Sequence, residues 1–212
     1  MAALRFYGYA FSVYARTVKA VLHEKDTAYV YIETDPFSED LNEEYASLHP
    51  FGRVPALRHG EISLYETIAI THYLDARFPS PALRPTDPLA LAKMLQVISI
   101  TDSYAYWPLV RQVFAHRVFA PRIGQPVDED EVKAGLANAA NVLAALEKIC
   151  ATGKGLNARE PSLADFHLAP MLDYFKQAKE GARMLKSYPT LSAWFNLVQK
   201  RPSLKNSRPT LP

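Results

Sequence analysis

Pro79, Pro81, Pro85 and Pro88 fall within ten residues of one another. No regular helix or central strand can run through them, because each proline fixes φ and removes a backbone donor. The chain is therefore expected to break there, with residues 1–79 as one domain, 80–88 as a linker and 89–212 as a second domain. The two flanks differ in periodicity. Before the prolines, stretches at 3–8 and 29–33, and the pair 56–58 and 62–64 around His59-Gly60, read as strands. Helical patterns lie between and after them: one carries Val18, Val21 and Leu22 on a single face, and others cover 39–48 and 66–77. The predicted order is βαβαββα. Beyond the prolines the periodic segments are helical, at about 89–119, 129–151, 163–178 and 190–201, separated by Pro121 to Pro126, by Gly153-Lys154-Gly155 and by the region around Gly181 and Pro189.

A chain of 212 residues with 49% hydrophobic content can bury a substantial core. Its formal charge is only +2, and its lysines and arginines are scattered without aromatic interleaving, which argues against a nucleic-acid partner. No apolar run approaches membrane-spanning length, and Met1 to Gly8 lacks a basic-then-apolar leader pattern, so a cytoplasmic protein is expected. Cys150 is the one cysteine, which rules out an internal disulfide and any CxxC arrangement. The six histidines do not cluster with carboxylates at ligand spacing, and no metal is expected. Thiol chemistry, if present, must come from a ligand.

Two short segments point to that ligand. Val54-Pro55, after the loop Pro50-Phe51-Gly52-Arg53, invites a cis peptide bond that would turn the Val54 N–H and C=O toward an extended guest. Glu66-Thr67 opens a helix, where unpaired backbone N–H groups and positive dipole potential suit a carboxylate, while the Glu66 side chain suits an ammonium. Together they describe a pocket for a peptide-like anion. Ser162-Leu163-Ala164-Asp165, by contrast, is a helix N-cap signature, and losing the Ser162 hydroxyl should cost about 1–2 kcal/mol of stability.

A βαβαββα half with Val54-Pro55 before its third strand, Glu66-Thr67 at the next helix, a proline linker, a helical half and the Ser162 cap resembles the cytosolic glutathione transferase superfamily over nearly the whole chain. Ser12 to Val18 and His49 to Pro55 look most like the serine-type classes, phi and its bacterial relatives. The resemblance implies a thioredoxin-like α/β N-terminal domain followed by an all-α C-terminal domain, usually as a homodimer. It also implies glutathione as co-substrate, conjugated to small hydrophobic electrophiles. Glutathione-dependent peroxidase, isomerase or dehalogenase chemistry on the same site, or a non-catalytic binding or interaction module, are the alternatives.

Ser12 lies between the first strand and first helix, where its hydroxyl could donate to the glutathione sulfur. A free thiol titrates near about 8.5, and lowering that by about two units takes about 2.7 kcal/mol. One hydrogen bond to a charged group, about 1.5–3 kcal/mol, plus a helix dipole of about 1–2, covers it. The other reading of Ser12 is a plain helix cap. Tyr7 is the rival donor, or else a core aromatic.

By resemblance, Arg53, Val54, Pro55, Glu66 and Thr67 hold glutathione, and Asp102 reaches across a dimer to the γ-glutamyl ammonium. Arg53 reads equally as a solvated loop charge, and Arg16 as a structural ion-pair or capping group. One departure stands out: where phi-like proteins carry basic residues for the glycine carboxylate, this chain has the acidic run Ser38 to Glu44. Either Arg53 or His49 compensates, or glutathione binds weakly. For the electrophile side the candidates are Phe11, Tyr104, Tyr106, Trp107, Val110, Arg111 and Phe114. Tyr106, Val110 and Phe114 fall along one stripe that could equally be core. Phe51 is expected to wedge into a partner subunit.

Overall fold

The computed structural model describes residues 3–38 and 43–212, the side chains of Glu43 and Glu44 excepted. Residues up to Ala82 together with Asn206–Pro209 form one compact unit, and Leu83–Lys205 with Thr210–Pro212 form another. The first unit runs β1 (Leu4–Gly8), α1 (Val13–Glu24), β2 (Val30–Glu33), α2 (Glu43–Leu48), β3 (Ala56–His59), β4 (Ile62–Tyr65) and α3 (Thr67–Arg77). This is the predicted order; residues 39–42 of the expected second helix lie outside the described residues.

The four strands form one sheet in the order β2-β1-β3-β4. β1 is parallel to β2 and antiparallel to β3, which pairs antiparallel with β4. Because successive side chains point to opposite faces, Phe6 and Tyr7 enter different layers. Tyr7 packs with Tyr45 and Leu48 of α2 and with Ala56. Phe6 lies on the α1 side, lining a small cleft with Ala15, Arg16 and Lys19. The predicted apolar face of α1 is fully enclosed at Val18, Val21 and Leu22.

In the second unit, Asp87 caps α4 (Pro88–Ile100) by accepting from the Ala90 N–H at 2.8 Å, with Pro88 at the first helical position. The expected single regular helix over 89–119 is corrected at Thr101. From Thr101 to Phe119 the chain continues with wider π-type turns, and the Ala120 N–H reaches back five residues to the Ala115 carbonyl. Two local features favour the change of register. Pro108 has no N–H to give an α ladder, and the buried Thr101 hydroxyl donates to the Val97 carbonyl at 2.8 Å.

The remainder comprises α5 (Ala120–Arg122), α6 (Glu129–Ala151), α7 (Leu163–Phe175), α8 (Lys179–Leu185), α9 (Pro189–Val198) and α10 (Pro202–Asn206). α6 packs along the π-type segment. Gly135 permits the approach, since a Cβ there would lie 2.6 Å from the Gln112 Cβ and 3.0 Å from the Pro108 carbonyl oxygen. α7 is buried on every side, as a helix through the middle of a core must be. Its Asp165 accepts from the Ser162 N–H and hydroxyl, the Asn157 N–H and, at 2.6 Å, the Trp194 indole. The Ser162 cap predicted from the sequence is therefore present, as part of a larger buried network.

Candidate active site

Strand register brings the candidate residues of the first unit to one end of the sheet. Tyr7 of β1 faces Ala56 of β3, and Ala56 faces Tyr65 of β4. The loop leading to Ser12 leaves β1 at this end, Val54-Pro55 enters β3 here, and Glu66-Thr67 leaves β4 here. Gly8 also lies opposite Glu33, so β2 ends at the same edge. From β1 to β4 is two strand spacings, about 10 Å, which is about the reach of an extended tripeptide.

Ser12 is the N-cap of α1, and its Oγ accepts from the Ala15 N–H at 3.2 Å. Accepting uses an oxygen lone pair and leaves the O–H hydrogen to be donated. Cap and donor are thus compatible roles for one half-buried hydroxyl. Tyr7 sits in the core, its ring 5.7 Å from that of Tyr45. Arg16 is also buried, and its Nε donates to Ser207 Oγ at 3.4 Å.

The Val54-Pro55 peptide is cis, as the sequence led one to expect. Arg53 is exposed, and its carbonyl accepts from the Tyr45 hydroxyl, which ties the loop down to α2. His49 is buried beside Tyr65, with ring centroids 4.9 Å apart, and its Nδ1 accepts from the Phe51 N–H at 3.4 Å. Burial pushes the imidazole below its ordinary value; nearby Glu66 opposes that shift and Arg53 reinforces it. Glu66 is exposed and stands at the start of α3 with φ of +70°, a conformation that a non-glycine residue holds only at a cost. Thr67, the first residue of α3, is buried. Beside it are the unpaired first amides of the helix.

Phe11 belongs to an aromatic group in the first unit: the Tyr9 ring lies 5.3 Å from Phe11 and 6.2 Å from Phe37, both edge-on. Phe37 is 70% exposed. In the second unit, Tyr104 and Trp107 are 65% and 57% exposed, Arg111 is exposed and Tyr106 half-buried. Val110 and Phe114 are buried, Phe114 stacking on Tyr174 at 4.2 Å, so of the two readings of that stripe their position is a core one. Asp102 lies 3.9 Å from the Nδ1 of buried His167.

Sequence reasoning missed Tyr9, Phe37 and Tyr45, which sit on a loop or a short helix with no periodicity to mark them. Cys150 is buried, its thiol pushed up to about 11 chiefly by burial and its Sγ donating toward the Thr190 carbonyl at 3.7 Å. It is inert as a nucleophile. Among the described residues no group of three or more His, Cys, Asp or Glu converges as a metal site would require.

Residues 6–82 match the glutathione S-transferase N-terminal domain and residues 129–197 the glutathione S-transferase C-terminal domain. Glutathione S-transferase F7 of Arabidopsis thaliana is 29% identical over 213 residues, spanning 97% of this chain and 99% of that protein. Among solved structures, glutathione transferase F2 from Populus trichocarpa matches with a TM-score of 0.84 at 26% identity, over 96% of both chains. The theta class glutathione S-transferase from Xanthomonas axonopodis pv. citri, solved with glutathione bound, matches with a TM-score of 0.80 at 25% identity over 99% of both. Two domain matches in the right order, on a thioredoxin-like unit and a helical one, give one conclusion: the chain belongs to the glutathione S-transferase family.

Proposed function

We propose that this chain is a glutathione transferase in which the Ser12 hydroxyl holds the sulfur of the bound tripeptide as a thiolate for attack on a small hydrophobic electrophile. The observation that supports it most is the strand register that gathers the Ser12 loop, Val54-Pro55 and Glu66-Thr67 at one sheet end. Across that end the Val54 backbone N–H and C=O pair with the peptide, the Glu66 carboxylate takes the γ-glutamyl ammonium, and Thr67 with the first amides of α3 takes its carboxylate. The thiol proton passes to solvent. The sulfur then forms a bond to the electrophilic carbon, and the leaving group departs with the electrons of its own bond. Phe11 and Phe37 offer an apolar platform for a flat substrate.

The test is a pH titration of thiolate absorbance with glutathione bound. The midpoint should lie about two units below that of the free thiol and return toward about 8.5 in Ser12→Ala. An unchanged midpoint there, with a shift in Tyr7→Phe, would pass the role to Tyr7. No thiolate signal at all in folded, glutathione-saturated protein would make the chain a binding module.

The same reading makes the chain a cytosolic homodimer. Among the described residues no helix is long and apolar enough to cross a membrane. Phe51, 67% exposed on a loop braced by His49 and Tyr65, is an apolar tip of the kind a symmetric partner would cover. Sedimentation should show a dimer that Phe51→Asp converts to monomer; a wild-type monomer would overturn this.

A further inference from the structure

The segment from Gly8 to Ser12 is held from β2 by two side chains that the proposed chemistry does not use. Glu33 accepts from the Ala10 N–H through Oε1 at 2.9 Å and from the Tyr31 hydroxyl through Oε2 at 2.7 Å. The Tyr31 hydroxyl oxygen also lies 3.0 Å from the Gly8 carbonyl, so its one hydrogen serves either acceptor, and that carbonyl accepts from the Thr34 N–H at 2.8 Å. Next along, the Ser12 N–H donates to the Tyr9 carbonyl at 2.9 Å. The loop therefore has an anchor at Gly8, one at Ala10 and one at Ser12, and the middle anchor is a carboxylate from another strand. A charged acceptor holds an N–H more strongly than a neutral one.

We propose that Glu33 and Tyr31 are positioning residues, a clamp from β2 that fixes the loop so that the Ser12 hydroxyl meets the glutathione sulfur. A hydrogen bond to a thiolate loses strength steeply as its angle and distance drift, so slack at Ala10 is felt two residues on at Ser12. This rests on the Ser12 reading given above.

The clamp and the bare charge of Glu33 act on the bound thiol with opposite sign. A nearby carboxylate disfavours a thiolate, so deleting the charge alone would lower the thiol midpoint in both Glu33→Ala and Glu33→Gln. Loss of positioning would raise it. The glutamine variant keeps a carbonyl oxygen for the Ala10 N–H and an amide that can donate to the Tyr31 oxygen. The experiment is the thiolate titration on Glu33→Ala, Glu33→Gln, Tyr31→Phe, Ser12→Ala and the Ser12→Ala/Glu33→Ala double variant, each with glutathione bound.

In Glu33→Ala the midpoint should rise by about half to one pH unit, roughly a threefold to tenfold loss in the thiolate-to-thiol ratio. Glu33→Gln should restore it, and Tyr31→Phe, which keeps the ring packed on Phe6 at 5.6 Å, should raise it. In the Ser12→Ala background the added Glu33→Ala should no longer raise the midpoint, since the clamp acts through that hydroxyl, and only the lowering from the deleted charge should remain. A melting temperature lowered in Glu33→Ala with an unmoved or lowered midpoint overturns the clamp. If Ser12→Ala shifts the midpoint and Glu33→Ala does not, the clamp alone fails; if Ser12→Ala itself shifts nothing, the Ser12 assignment falls and the clamp with it.

Discussion

Lys25 donates to Asp75 across 2.6 Å, with the two side chains 0% and 5% exposed, and so fastens the end of α1 to the last turns of α3. Lys25 also donates to the Pro81 carbonyl. Ser12 caps the first of these helices and Thr67 begins the second, so one enclosed ion pair holds together the elements that carry the proposed sulfur donor and the proposed carboxylate site. Asp75→Ala strands a buried ammonium and should cost about 3–5 kcal/mol in denaturant unfolding. Replacing both partners, as Lys25→Met with Asp75→Leu, should cost much less, because no charge is then left unpaired. Equal losses in the single and double variants would show that the pair itself is not what the fold depends on.

Ser12 is proposed to have two duties, and two substitutions separate them. Ser12→Ala removes cap and donor together and should lose about 0.5–2 kcal/mol of stability, whereas Ser12→Gly keeps most of the cap's worth and should lose only a few tenths. Turnover should fall alike in both, because both lack the hydroxyl. If turnover instead tracks stability across the pair, Ser12 serves the helix and not the sulfur.

Much of this was legible in the sequence, for definite reasons. Alternation and turn residues mark β3 and β4, Ser162-x-x-Asp165 marks the start of α7, and Val54-Pro55 and Glu66-Thr67 mark the sheet end where they lie. What was not legible depends on contacts between distant residues. Gly181 reads as a helix breaker, yet it lies inside α8, because a Cβ there would come within 2.2 Å of the Phe175 carbonyl oxygen. The widening at Thr101 has no periodic signature either, since apolar residues spaced for an α-helix still face a core after a small change of winding. The Glu33 bond to Ala10 spans 23 residues, and nothing local to either residue announces it.

His49 gives the fold a dependence on pH whose sign follows from burial. Its pKa is depressed in the folded chain, so the folded state favours the neutral ring. The stability it contributes is present above the unfolded value of about 6.5 and is lost as pH falls below it toward the folded pKa. Unfolding free energy should therefore drop as pH falls through and below about 6.5, and His49→Gln should flatten part of that drop. A steeper loss in His49→Gln would reverse the assignment. A neutral His49 near pH 7 is also a poor counter-ion for the glycine carboxylate, so Arg53 is the better candidate of the two for the proposed compensating cation. Glutathione affinity should weaken with added salt in the native protein, and that dependence should shrink in Arg53→Ala, where the Glu66 contact to the ammonium remains.

Glu66 combines an exposed carboxylate with a backbone that glycine would adopt more easily, at φ of +70°. Such a residue held against its preference at a helix start stores roughly 1–3 kcal/mol. Glu66→Gly releases that strain but adds freedom to the unfolded chain, worth about 0.4–1 kcal/mol, so the net change should be a gain in stability of about 1 kcal/mol. Glu66→Gln keeps the strain and should leave stability near that of the native chain. Both variants lose the charge proposed to hold the γ-glutamyl ammonium, and both should bind glutathione more weakly. A stabilised glycine variant with native affinity would mean that the conformation at Glu66 serves the turn between β4 and α3 alone, because the one thing both variants remove is the carboxylate.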